Sequence, residues 1–193
     1  MSAAAPGAAA SLELGALERR SLLRAAREAI AAHIAGRRAE LPPATGGLAW
    51  PRGAFVTLRR AADDELRGCV GQMEADEPLL ETVASMAAAA ATRDGRFTPV
   101  SASELDSLRI EISVLSPLEP IQPADVEVGR HGLLLRCGDQ RGVLLPQVPV
   151  EHGWDREAFL AHTCEKAGLP PDTWRRPGVD IQGFTATVFG EGD

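Results

Sequence analysis

Ala54-Phe55-Val56-Thr57-Leu58-Arg59-Arg60, then Ala61-Ala62-Asp63-Asp64-Glu65, then Leu66-Arg67-Gly68-Cys69-Val70-Gly71 is the stretch whose reading decides the fold. Two short runs rich in β-formers flank an acidic segment, which predicts an antiparallel hairpin with strands over 54–60 and 66–70. Side chains two apart on a strand share a face. Arg67 and Cys69 therefore point one way, and Leu66 and Val70 the other. A guanidinium beside a thiol favours the thiolate, so Cys69 is the leading candidate nucleophile and Arg67 a candidate anion binder. The glycines at 68 and 71 weaken the strand and mark a bulge, or a place where another backbone or a ligand comes close. Both are candidate ligand-binding positions.

The segments around the hairpin supply helices and further strands. Leu17 to Ile34 repeats apolar residues at helical spacing, and Gly36 ends the helix. Prolines and glycines make the stretch up to Gly53 a loop with one aromatic, Trp50. Leu79 to Thr92 predicts a second helix with an alanine face suited to close packing. Leu108 to Leu115 alternates cleanly, with Ile110 and Ile112 on a core face and Arg109, Glu111 and Ser113 on the other. The three prolines between Ser116 and Ala124 predict an extended connector and a lobe boundary at 116–124. Beyond it come a hairpin over 133–137 and 143–145, a helix from an Asp155 N-cap to about Ala167, and one closing strand over 183–189. Residues 1–14 read as a disordered tail, and residues 15–193 as one two-lobed domain. The fold class is α+β, with a largely antiparallel sheet flanked by helices.

Composition limits what such a domain does. A 45% hydrophobic, 24% charged chain of 193 residues belongs with globular proteins. A net charge of −7 disfavours a general phosphate-tracking role, so nucleic acid is not an expected partner. Cys69, Cys137 and Cys164 cannot all pair internally, which suits a reducing cytoplasm. Residues 1–10 lack the charged start and apolar run of a secretory signal, and no later run is long enough to span a membrane. The expectation is a cytoplasmic protein without a membrane partner.

Three further positions carry candidate chemistry. Glu111, on the polar side of its strand, could pair with Arg67 or work as an acid or base. Asp94-Gly95-Arg96-Phe97-Thr98-Pro99 supplies a second cation, Arg96, at a helix end, with a C-cap and turn as its simpler role. His131, just before Gly132, either shapes a turn or lines a pocket. His162 and Cys164 diverge on a helix and fit no zinc spacing, so no metal is expected. No phosphate loop, dinucleotide fingerprint or nucleophile elbow is present, and no cofactor is expected.

These pieces together resemble the AMMECR domain family. Leu66-Arg67-Gly68-Cys69-Val70-Gly71 is similar to its signature hexapeptide, with valine for the usual isoleucine. The order also fits: Gly53 to Leu58 before it, then Asp94-Gly95-Arg96-Phe97, Ile110 to Leu115, His131-Gly132-Leu133, Leu144 to Val148, Trp154 and Lys166 to Leu169. The resemblance spans residues 17–191, with Gly95 standing where the family often has proline. It implies a two-lobed α/β fold with a groove near the hexapeptide, and no settled reaction. It also implies the company of a Memo-like protein and a radical S-adenosylmethionine protein, the AmmeMemoRadiSam system, in which this type is protein A. On this basis Cys69 and Glu111 are expected as catalytic groups, and Arg67, Gly68, Gly71, Arg96 and His131 as binders of a small anionic or peptide-like ligand. The alternative is a non-catalytic adaptor in which the hexapeptide is structural.

Overall fold

A computed structural model describes residues 14–192. The tail expected over 1–14 lies outside the described residues except for Leu14, which is buried and accepts a hydrogen bond from Arg19 Nε at its carbonyl. The chain divides into two compact units, one running to Ser113 and resuming at Phe189, the other Val114–Val188. No helix among the described residues is long and apolar enough to cross a membrane.

The first unit is built on two helices and a hairpin. Helix α1 (Ala16–Ile34) buries Leu22, Ala26 and Ile30, and helix α2 (Leu79–Thr92) buries Leu80, Val83, Ala87 and Ala90. Small side chains along both let their backbones approach closely, leaving the larger residues to fill the sheet side. Strands β1 (Ala54–Arg60) and β2 (Leu66–Gln72) pair antiparallel, with Thr57 opposite Cys69 and Leu58 opposite Gly68. Strand β3 (Leu108–Leu115) continues the sheet, whose order is β2-β1-β3-β8 once the last strand, β8 (Ala186–Gly190), is added. Ala54, Val56, Leu58, Ile110 and Ile112 are buried, so this alternating set is the core face.

Glu191 ties the C-terminal segment down. Its carboxylate accepts from Arg27 Nε at 2.8 Å and from the Ile110 N–H at 3.0 Å, while its own N–H donates to Ile110. Arg27 also donates to the carbonyls of Leu105 and Leu108. The guanidinium thus closes three chain segments around one side chain, and its pKa is raised by Glu191.

The second unit holds the sheet β4-β7-β5-β6, formed by β4 (Glu119–Pro120), β5 (Gly132–Cys137), β6 (Gln140–Leu144) and β7 (Asp180–Phe184). Helix α4 (Arg156–Lys166) packs Phe159, Leu160 and Cys164 against Leu133, Leu135 and Ile181. Asp155 caps it, accepting from the Ala158 N–H at 2.8 Å. A short helix, α3 (Gln147–Glu151), carries Pro149 in its first turn, where a missing N–H leaves no hydrogen bond unmade.

One expectation is corrected. The closing strand read over 183–189 is two strands, β7 and β8, in different sheets. Thr185 separates them, because its N–H donates to Ser116 Oγ and its carbonyl accepts from the Ser116 N–H, both at 2.9 Å. With both backbone groups taken there, no ladder passes through.

Candidate functional site

The hexapeptide lies on β2, an edge strand, and the pleat sorts its side chains into two sets. Gly68 faces α2: a Cβ there would sit 2.2 Å from the Ala90 carbonyl oxygen. The other backbone that approaches this glycine is therefore α2. Gly71 lies under the ring of Phe55, its cross-strand partner, and a Cβ would meet that ring at 2.2 Å. A missing side chain lets protein pack closely at both positions, which accounts for each glycine without a ligand.

Cys69 points the other way, away from α2, in a half-buried position. The Thr57 hydroxyl donates to its Sγ at 3.3 Å. Its backbone N–H leaves the sheet edge and is accepted by Asp94 Oδ2 at 2.8 Å. Asp94 follows the end of α2, and its side chain is only 7% exposed. Arg96 closes on the same carboxylate through Nε at 2.9 Å and a terminal nitrogen at 2.7 Å. That pairing, helped by the Cys69 N–H, holds the Asp94 carboxyl well below the usual carboxylate range. The turn read as a cap does more than end a helix: it seals the outer edge of β2 at the cysteine.

Arg67 shares the face of Cys69 by alternation, but its guanidinium is committed elsewhere. Nε donates to Glu104 at 3.0 Å and a terminal nitrogen donates to the Thr98 carbonyl at 2.8 Å. Its side chain is only 12% exposed. Glu104 also accepts from the N–H and hydroxyl of Ser101, and these bonds with Arg67 bring its pKa down to about 2. Phe97 lies between the two cations, with Arg67 and Arg96 at 6.0 Å and 5.4 Å from its ring centre. The pairing of Arg67 with Glu111, open from the sequence, is not the one formed; Glu104 takes that place.

Glu111 sits on β3 opposite in facing to Ile110 and Ile112, half-buried, and no ion pair or hydrogen bond among the described residues engages its carboxylate. Its facing follows by alternation from Ile110 and Ile112, both buried in the core. Cys69 and Glu111 thus occupy the same face of one sheet, the face turned from the helices. Phe55 and Thr57 share it, giving a ring, a hydroxyl, a thiol and a carboxylate on adjacent strands.

His131 belongs to the second unit, where it shapes a turn: the Glu127 N–H donates to His131 Nδ1 at 3.0 Å, and the His131 N–H returns to the Glu127 carbonyl. Of the other thiols, Cys137 is half-buried as Cys69 is, while Cys164 is fully buried and its pKa is pushed up by burial. Among the described residues no group of three or more His, Cys, Asp and Glu side chains is placed to hold a metal ion.

Thr57, Asp94 and Glu104 are neighbours of Cys69 and Arg67 that the sequence did not single out. Thr57 was within reach of the hairpin register, which puts it opposite Cys69. Asp94 and Glu104 lie 25 and 37 residues from the groups they hold, and nothing local announces either contact.

The profile of the AMMECR1 family matches residues 23–189. A protein of Methanopyrus kandleri is 49% identical over 179 residues, covering 88% of this chain and 86% of its own length. One from Methanocaldococcus jannaschii is 45% identical over 176 residues, 88% of each chain. Among solved structures, the crystal structure of an uncharacterized protein from Pyrococcus horikoshii superposes with a TM-score of 0.80 at 44% identity, covering 89% of this chain and 90% of that one.

Proposed function

The chain belongs to the AMMECR1 family, and on that premise we propose that it binds a small peptide-like ligand on the helix-free face of its first sheet, with Cys69 as the thiol that meets the ligand and Glu111 as an orienting acid or base. The observation that carries this reading is the fastening of Cys69. Its backbone is held by Asp94, its sulfur takes the Thr57 hydroxyl, and its side chain still faces away from the helices. Arg67 and Arg96 already carry carboxylate partners, so the reading favours a peptide-like ligand over an anionic one and gives the two arginines the role of holding the platform. The Memo-like and radical S-adenosylmethionine proteins remain partners on the strength of the resemblance.

A specific observation favours the second reading, an adaptor with a structural hexapeptide. Arg67, Gly68 and Gly71 are all used in packing or pairing within the protein. Labelling rates separate the two. On the ligand-binding reading, a short peptide bearing a chloroacetyl group alkylates Cys69 at least ten times faster than chloroacetamide does, and Glu111→Gln removes most of the advantage. Equal rates for the two reagents favour the adaptor.

A further inference from the structure

Cys69 gives its backbone N–H to Asp94, so that N–H points out of the ladder that β2 forms with β1. On a strand the N–H and carbonyl of one residue leave by the same edge, and residues two apart share that edge. The Cys69 carbonyl and both backbone groups of Gly71 therefore also point away from β1. β2 is the edge strand of its sheet. Among the described residues no hydrogen bond outside the ladder engages these three groups. The outer edge of β2 thus presents an acceptor, a donor and an acceptor in a row.

Proteins usually blunt an open edge with a charge, a proline or a covering segment. Here the blunting stops at one residue. Asp94 takes the Cys69 N–H and Arg96 closes on that carboxylate, whereas Val70, Gly71 and Gln72 bring neither charge nor proline to the edge. Gly71 is half-buried and carries no side chain to stand in the way of a neighbour. The Phe55 ring lies over it on the Cys69 face, an apolar surface beside the open edge on which a side chain of an added strand can rest. Two carbonyls flanking one N–H repel a phosphate or a free carboxylate and match the alternating groups of a peptide backbone.

We propose that an extended peptide segment binds as an added strand along β2 from Cys69 to Gln72, exchanging backbone hydrogen bonds with the Cys69 carbonyl and with Gly71. The site rests on the peptide-like ligand proposed above and specifies that ligand as a strand. Main-chain bonds supply the affinity, and the Asp94 cap sets where the pairing stops.

Amide hydrogen exchange of the whole protein, read by NMR, tests it in two steps. In the protein alone, the Gly71 amide should be protected at least ten-fold less than that of Val70, which turns toward Val56 of β1. Equal protection would mean that the edge is already closed and would overturn the proposal. A blocked hexapeptide of alternating valine and lysine should then slow Gly71 exchange at least five-fold, saturating at millimolar concentration. Its fully N-methylated counterpart, with the same side chains and no backbone donors, should leave Gly71 unchanged. Equal effects of the two peptides, no effect of either, or slowing spread evenly over all amides refutes strand addition. Gly71 protection that rises with protein concentration in the absence of peptide assigns the edge to a second copy of the chain, and also overturns the proposal. The readout is a backbone amide and uses neither the thiol nor Glu111. Failure here, with peptide labelling of Cys69 still accelerated, removes the strand and leaves the binding face; equal labelling rates with Gly71 protected by the peptide do the reverse.

Discussion

Replacing Gly68 by alanine puts one methyl group into the contact that joins β2 to α2. The new carbon would lie 2.2 Å from the Ala90 carbonyl oxygen, and ordinary contact begins at 3.4 Å, so strand and helix must part by about 1.2 Å. Both are backbone, and no side chain can swing aside. The neighbours Leu80, Val83 and Ala87 are fully buried, so separating helix and sheet loosens the core along the whole length of α2. Overpacking costs about 1–3 kcal/mol when side chains can adjust, and a gap of 0.5–1 Å already forfeits a quarter to a half of each contact. A loss of about 3 kcal/mol is expected, or about 6–12 °C in Tm for a protein of this size. Urea unfolding followed by circular dichroism measures it, with Gly95→Ala as the control. No atom lies within 4 Å of a Cβ at Gly95 and its φ is not positive, so that change is neutral or stabilises by up to about 1 kcal/mol. If Gly68→Ala shifts the midpoint no more than Gly95→Ala does, the close approach of α2 does not explain the first glycine of the hexapeptide.

Other outcomes follow from the same contacts. Arg27→Met removes the donor to Leu105, Leu108 and Glu191 together and costs about 2 kcal/mol in urea unfolding; an unchanged midpoint refutes its bracing role. Glu104 has a folded pKa near 2, below its ordinary 4.5, so its stabilisation is present above about pH 4.5 and is lost as pH falls toward 2. Wild type is therefore more stable than Glu104→Gln at pH 7, by about 1 kcal/mol after allowing for solvent screening at Glu104, whose side chain is 38% exposed, and the two converge near pH 2. A constant difference across that range would contradict the assignment. Asp94→Asn loosens the β2 edge, so amide hydrogen exchange at Cys69 speeds up at least ten-fold; unchanged protection would separate Asp94 from the cysteine.

Much of the fold was legible because local pattern and tertiary role agree. Strands β1 and β3 and helix α2 have the bounds their periodicity predicts, since each presents one apolar face to one core. The break at Thr185 was missed although a trace of it is in the sequence. Phe184 and Phe189, both buried, are five apart, an odd spacing that one straight strand cannot bury on a single face. The site divides in the same way. That Arg67 and Cys69 share a face follows from the pleat, but the guanidinium's partner does not, because Glu104 competes with Glu111 only once the chain after α2 has turned back over β2. The glycines signalled a close approach, and only the packed structure says that α2 and Phe55 make it.

Cys69 is fastened by its backbone with its sulfur turned from the helices, and alkylation of the native protein tests that most directly. Brief treatment with iodoacetamide followed by peptide mapping should find Cys69 modified while Cys164, buried on the core side of α4 with its thiol pKa raised, stays untouched until the protein is unfolded. Protection of Cys69 equal to that of Cys164 would mean its sulfur is sealed, and the thiol-bearing face proposed as a binding surface would have no accessible thiol.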